Sequence, residues 1–333
     1  METVTLGSSG LEVSPIAYGT WQLSGDWGEF DEREAIEAIQ FARRQGVNFF
    51  DTAQAYGFGA SERMLGKALR DDIEHRRDEV VIATKGGQRI DEQRGFVRDS
   101  SPAWLRQGCE ESLRALGVEQ IDLYQVHWPD EDTPFAETAA ALQELVDEGK
   151  IRHVGVSNFN PEQMTEFART RPVETLQPPY SLLNREIEND VLPYCQQHNI
   201  GVLVYGPLAH GLLTGAMSPD TKFAEDDWRR VSPSLTGETF QRNLEVVQRL
   251  DEFAQQRGCK VSQLALAFTL AHPAVHVAIV GSRRRRHIEE SLGAAEIKLS
   301  EDDLTELRTI VADAVTIEEA TPETMTELFG LVS

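Results

Sequence analysis

Eight short apolar runs separated by amphipathic stretches constrain the fold of this chain more than any other feature. They are PIAYG (15–19), VNFFDT (47–52), VVIATK (80–85), IDLYQVH (121–127), HVGVSN (153–158), VETLQ (173–177), GVLVYG (201–206) and VAIVGS (277–282). A strand with one wet face alternates apolar and polar residues, whereas near-continuous apolar character marks a strand buried on both faces, as in a parallel sheet covered by helices. The intervening segments supply the helices. DEREAIEAIQFARRQG (31–46) opens on acidic residues and stops at Gly46, and SPAWLRQGCEESLRALG (101–117) offers Ser101 as N-cap with Pro102 at the first helical position. Eight strand-then-helix units in 333 residues predict an α/β fold, a single (β/α)8 TIM barrel spanning 1–333. The connection at about 206–237, containing YGPLAHGLLTG, is longer than the rest, and long loops on the C-terminal face of such a barrel usually carry function.

Charge and composition exclude several classes of partner. A formal charge of −23 opposes nonspecific attraction to nucleic acid or an anionic membrane. No apolar run approaches the roughly 18 residues that a membrane-spanning helix needs. The opening METVTLGSSGLEV lacks a basic region followed by an apolar one, so a cytoplasmic location is expected. Cys109, Cys195 and Cys259 are widely spaced and form no CxxC pair, which predicts reduced thiols and no metal site. Only six of the 32 basic residues are lysine, a composition shared by salt-adapted acidic proteins and by proteins selected simply for solubility.

In a barrel, residues at the C-terminal ends of the strands converge on one mouth. Asp51 ends the second run, Lys85 the third and His127 the fourth, and Tyr56 follows in the loop after the second. Each has an ordinary alternative: a turn-capping aspartate, a surface lysine, a rim histidine, and a loop aromatic packed beside Phe58. Together they form a chemically coherent group. A free phenol has a pKa near 10; an adjacent ammonium favours its ionised form, and a carboxylate holds that ammonium in place. A histidine beside them can orient a substrate oxygen. The set suits delivery of a proton to a carbonyl oxygen as hydride reaches the carbon.

The ordered motifs FFDTAQAYG, ATKGG, YQVHWPD, GVSNFN, YSLLNR, YGPLAHGLLTG and IVGSRRRRHIEE give the chain a close resemblance to the aldo-keto reductase superfamily across nearly its whole length. The HWPD and YGP forms are more similar to bacterial general-stress-type members than to the animal aldose reductases. The family's catalytic tetrad falls on Asp51, Tyr56, Lys85 and His127. The resemblance implies NADPH as cofactor, with NADH as the alternative, held without a G-x-G-x-x-G turn. Ser157, Asn158 and Gln177 would then bind the nicotinamide carboxamide, and Tyr205 would stack on the ring. Gly206, Pro207, Leu208, Gly211 and Leu213 would lie along the pyrophosphate. Gly281, Ser282, Arg283, His287 and Glu290 would contact the adenosine end. Arg283 leads the run of four arginines as reader of the 2′-phosphate, although the motif alone does not choose among them, and a solvated run balanced by Glu289 and Glu290 is the plain alternative. Trp21 and Trp128 would wall the substrate pocket. Ser291 stands where many members carry an asparagine that reads adenine.

The function expected on these grounds is NADPH-dependent reduction of an aldehyde or ketone, or the reverse oxidation, of a small-molecule substrate. Two alternatives stay open at this point: a Schiff-base aldolase using Lys85, and a redox-sensing NADPH-binding subunit with little turnover. Substrate, direction and oligomeric state are not encoded in any motif.

Overall fold

All eight apolar runs form strands of one closed, all-parallel barrel: β1 (Ile16–Gly19), β2 (Phe49–Asp51), β3 (Val81–Gly86), β4 (Ile121–Val126), β5 (Ile151–Ser157), β6 (Thr175–Gln177), β7 (Gly201–Val204) and β8 (Val277–Gly281). Each strand pairs with the next in sequence, and β8 closes on β1 with Gly281 opposite Gly19. The computed structural model describes residues 1–25, 27–91, 95–225, 227–317 and positions 321 and 326. Strand ends fall within two residues of those expected.

The helices α1 (Glu32–Arg44), α2 (Ala60–Ala68), α3 (Pro102–Leu116), α4 (Phe135–Asp147), α5 (Pro161–Ala168), α6 (Val191–Gln197), α7 (Val261–Ala271) and α8 (Arg285–Leu292) follow the strands in turn. The α1 N-terminus is capped by Asp31, whose carboxylate accepts from the Arg33 and Glu34 N–H groups, and Ser101 caps α3 by accepting from Trp104 N–H. Such caps satisfy donors that the helix leaves open and contribute about 1 kcal/mol each. Between strands and helices lies the larger core, in which Phe50, Ile82 and Val126 pack with Ile39, Leu105 and Leu142, all buried.

Inside the barrel a second core joins Ala17, Phe49, Ala83, Leu123 and Leu203 to Leu6, Leu11 and Val13. The last three belong to an N-terminal hairpin, Val4–Thr5 with Glu12–Val13, which seals the N-terminal end. Gly7 makes that seal possible: its φ is +52°, and a Cβ there would lie 2.1 Å from the Gly201 nitrogen. This hairpin, a second one at Gln88–Asp91 and Gly95–Arg98, and the additional helices Gly237–Gln256 and Glu301–Ile310 complete the barrel beyond the eight expected units. With its N-terminal end plugged, the barrel opens to a ligand, among the described residues, at its C-terminal mouth.

Candidate active site

Asp51, the last residue of β2, is 3% exposed and binds residues from three other strands. Its Oδ1 accepts from Lys85 Nζ on β3 at 2.6 Å, and its Oδ2 accepts from Gln177 Nε2 on β6 at 2.9 Å and Gln125 Nε2 on β4 at 3.4 Å. Lys85 Nζ also donates to Thr52 O at 2.9 Å and lies 5.2 Å from the centre of the Tyr56 ring. The side chain is sealed from solvent, which rules out the surface-lysine alternative. Burial opposes its charge, but Asp51 and Tyr56 outweigh that effect and hold the Lys85 pKa above its ordinary value.

His127 follows β4, and its N–H donates to Gly86 O at 2.9 Å. Its ring meets that of Tyr56 edge-on, with centroids 5.7 Å apart. Burial, and then the Lys85 charge, push the imidazole pKa well below its usual value, so the ring is neutral. Its Nδ1 is buried without a hydrogen-bond partner among the described residues. Tyr56 faces Trp21 on its other side, the rings stacked at 6.2 Å. Phe58 instead stacks on Phe96 of the second hairpin, at 5.9 Å, so Tyr56 is not held by the expected packing against Phe58.

A second network adjoins the first at Gln177. Ser157 Oγ donates to Gln177 O at 2.8 Å, while Asn158 Nδ2 donates to His127 O at 3.0 Å and to Ser157 Oγ at 3.1 Å. Tyr205 OH donates to Asn158 Oδ1 at 2.9 Å, which fixes the amide's orientation. Asn158 has a φ of +64°, a left-handed conformation that asparagine tolerates better than most residues.

From Tyr56, Gln177 and Tyr205 a cleft of about 560 Å³ runs along the loop after β7 to the loop after β8. Gly206, Pro207, Leu208 and Gly211 line its middle, and Gly281, Ser282, Arg283 and His287 line its far end, with Arg284. Gly206 and Gly211 both have positive φ, at 67° and 99°. Trp21 lines the cleft as well. Three residues are placed differently from the expectation. Leu213 is fully buried in the outer core. Glu290 is drawn to Lys260 and Ser262, which leaves it outside the cleft lining and unavailable to balance the arginines. Trp128 does not line the cleft and carries the Arg98 guanidinium over its ring, 5.2 Å from the centroid.

The four arginines diverge. Arg283 Nη1 donates to Gly28 O at 2.8 Å and Glu29 O at 3.2 Å, and Arg284 lies 3.8 Å from Glu34. Arg285 covers the Phe41 ring, and Arg286 Nε donates to His287 Nε2. Ser291 returns its hydroxyl to His287 O. Tyr18 OH donates to Ser282 O, which ties this loop to β1.

Several residues at the site carry no signal in the sequence. Gln125 reads as a polar interruption of an apolar strand, yet it bonds to Asp51 and lies 3.4 Å from Gln177. Trp27 and Trp228 pack with Trp21 in one aromatic cluster, with centroids at 5.0 Å and 5.5 Å from it. Trp27 and Asp227 form a β-bridge that joins the loop after β1 to the loop after β7. Arg229 reinforces the join by pairing with Asp227 at 2.6 Å and lying over the Trp27 ring at 4.7 Å. All three cysteines are free, with Cys109 and Cys195 pushed up to about 12 by burial. No helix among the described residues is long and apolar enough to cross a membrane.

Comparison with known proteins agrees with this fold. The model of the Aldo/keto reductase family matches residues 15–312. The aldo-keto reductase YhdN of Bacillus subtilis is 40% identical, over 98% of this chain and 100% of its own. The NADH-specific methylglyoxal reductase of Escherichia coli is 32% identical, over 92% of this chain and 98% of its own. Among solved structures, the glycerol dehydrogenase AKR11B4 of Gluconobacter oxydans superposes with a TM-score of 0.85 at 38% identity, covering 96% of this chain and 98% of that one. The chain belongs to the aldo/keto reductase family and is an NAD(P)H-dependent oxidoreductase.

Proposed function

We propose that the protein reduces an aldehyde or ketone with NADPH, Tyr56 delivering the proton to the carbonyl oxygen. The observation that carries this reading is the position of Lys85 Nζ, held at 2.6 Å by Asp51 and 5.2 Å from the Tyr56 ring centre. A fixed ammonium beside the phenol stabilises the phenolate left when the proton departs. Neutral His127, its ring edge-on to that of Tyr56, would donate a ring N–H to the same carbonyl oxygen and orient it toward Tyr56. Solvent then returns a proton to Tyr56.

The chain's residues fit a dinucleotide. Asn158, Ser157 and Gln177 form an oriented set of amide and hydroxyl groups matched to a carboxamide. Gly206 and Gly211 allow backbone to approach a pyrophosphate closely. Arg283, Arg284 and His287 supply the positive end of the cleft, where a 2′-phosphate would be paired. When bound, NADPH supplies the hydride. The Schiff-base reading fares poorly because Lys85 is buried, paired and held charged, whereas an amine nucleophile must be neutral.

The test is NADPH oxidation, followed in absorbance, with a panel of aldehydes, ketones and sugars that includes methylglyoxal, and NADP+ reduction with glycerol. Turnover in wild type that is lost in Tyr56→Phe supports the proposal. Tight NADPH binding with no turnover across the panel would favour the sensing subunit instead.

A further inference from the structure

The far end of the cleft, where the adenosine of a dinucleotide would lie, has walls of opposite charge. One is the segment leading into α8, with Arg283 and Arg284; the other is the loop after β1 and the first turn of α1, from which Glu29, Asp31 and Glu34 line the same cleft. The walls are tied together: α1 packs along α8 with the Arg285 guanidinium 4.3 Å from the centre of the Phe41 ring, and Arg283 reaches across to the carbonyls of Gly28 and Glu29. The carboxylates on the acidic side differ in what holds them. Asp31 turns onto its own helix, where it accepts from the Arg33 and Glu34 N–H groups and so fills the anion-favouring N-terminus of α1. Glu32 is drawn to Lys67 of α2 at 2.6 Å and does not line the cleft. Glu34 does line it, and among the described residues the basic group within ion-pair reach of it is Arg284, 3.8 Å away.

The side chains of Arg284 and Glu34 are 59% and 61% exposed. An exposed pair at that separation is weak and is readily displaced by a stronger anion. We propose that Glu34 sets the balance between NADPH and NADH by holding a negative charge at Arg284, the guanidinium next in sequence to the one bonded across the cleft. An arginine is a usual partner of a 2′-phosphate and a carboxylate a usual acceptor for a 2′-hydroxyl, and this end of the cleft carries the two side by side.

The two nucleotides meet that pair differently. A 2′-phosphate carries a charge of about −1.5 to −2 at neutral pH, so it takes Arg284 only by displacing Glu34 and is then repelled by the carboxylate left beside it. NADH lacks that charge and leaves the pair intact. Glu34 therefore lowers a preference for NADPH that the arginines alone would make strong, which makes it a determinant of cofactor choice with no part in proton or hydride transfer. This inference rests on the reading of the cleft as a dinucleotide site and is independent of the role given to Tyr56.

The experiment titrates NADPH and NADH into wild type, Glu34→Gln and Glu32→Gln in the absence of substrate, followed by quenching of tryptophan fluorescence. Glu32→Gln removes the same unit of charge from the same helix outside the cleft, and so controls for the general effect of net charge. Expected is that Glu34→Gln tightens NADPH roughly three- to tenfold at low ionic strength while NADH changes by less than about twofold. Glu32→Gln should leave the ratio of the two dissociation constants unaltered. At about 1 M KCl, where the Debye length is about 3 Å, the gain in Glu34→Gln should shrink. An unaltered ratio in Glu34→Gln, or the same change in both variants, would overturn the proposal. Weaker NADPH binding in Glu34→Gln would also overturn it and make Glu34 a support that orients Arg284 toward the phosphate. Failure of wild type to bind either nucleotide is a separate result, which overturns the dinucleotide reading and this proposal with it.

Discussion

Asp51 Oδ1 and Lys85 Nζ lie 2.6 Å apart with both side chains withdrawn from solvent, so each ion is the other's principal counter-charge. Removing one member of such a pair strands the other. Asp51→Asn is expected to destabilise the fold by about 3–5 kcal/mol, read from urea denaturation, and to lower kcat because the ammonium beside Tyr56 is no longer fixed. A loss below about 1 kcal/mol would show that Gln125 and Gln177 hold Lys85's surroundings together without the carboxylate.

Tyr56→Phe removes a hydroxyl and almost no volume. Carbonyl reduction should fall by roughly 10²–10⁴-fold while fluorescence titration gives an unchanged NADPH affinity. Turnover within about twofold of wild type would remove Tyr56 from the mechanism.

The histidine predicts an acid limb. His127 is held neutral in the fold, with a pKa well below that of the unfolded chain, so the unfolded state binds more protons once pH falls below about 6.5. Stability is unaffected by this group above that pH and declines below it, by at most about 1.4 kcal/mol per pH unit. His272, His276 and His287 are shifted in the same direction, so the wild-type slope is a sum. His127→Gln should make the decline between pH 7 and 5 shallower by a measurable share in urea titrations. An unaltered slope would mean that His127 takes up its proton without unfolding.

Arg283 spans the cleft's far end, bonded to the carbonyls of Gly28 and Glu29. Arg283→Ala should weaken NADPH by roughly one to two orders of magnitude and NADH much less, since hydrogen bonds to charged groups contribute about 1.5–3 kcal/mol. Parallel titrations at low and high KCl provide the check. Equal losses for both nucleotides would assign Arg283 to holding the 28–30 loop alone, and Arg284→Ala would become the informative variant.

The barrel was legible because its signal is local: a buried parallel strand must be apolar over its own few residues, and all eight runs were. Asp51, Lys85 and His127 were legible for a related reason, since strand ends converge whatever lies between them. Gln125 was hidden because its meaning depends on β2 and β6 standing beside β4. The Trp27–Asp227 bridge joins residues distant in the chain, and no periodicity announces it. The second hairpin, QRIDEQRGFVR, is too polar to read as strand. The arginine run shows the limit most plainly: four identical residues take four directions, each chosen by a neighbour such as Phe41 or Glu34 that the run itself does not name.

The N-terminal hairpin has a practical corollary. It plugs the floor of the barrel, whereas Thr326 reaches the opposite end, where its Oγ1 accepts a 2.9 Å hydrogen bond from Phe96 N–H beside the mouth. A tag, surface tether or fusion partner attached before residue 1 hangs beneath a sealed base and leaves diffusion into the cleft untouched. Thr326 instead stands against Phe96, whose ring stacks on Phe58, so a bulky side chain in its place would crowd the approach of substrate.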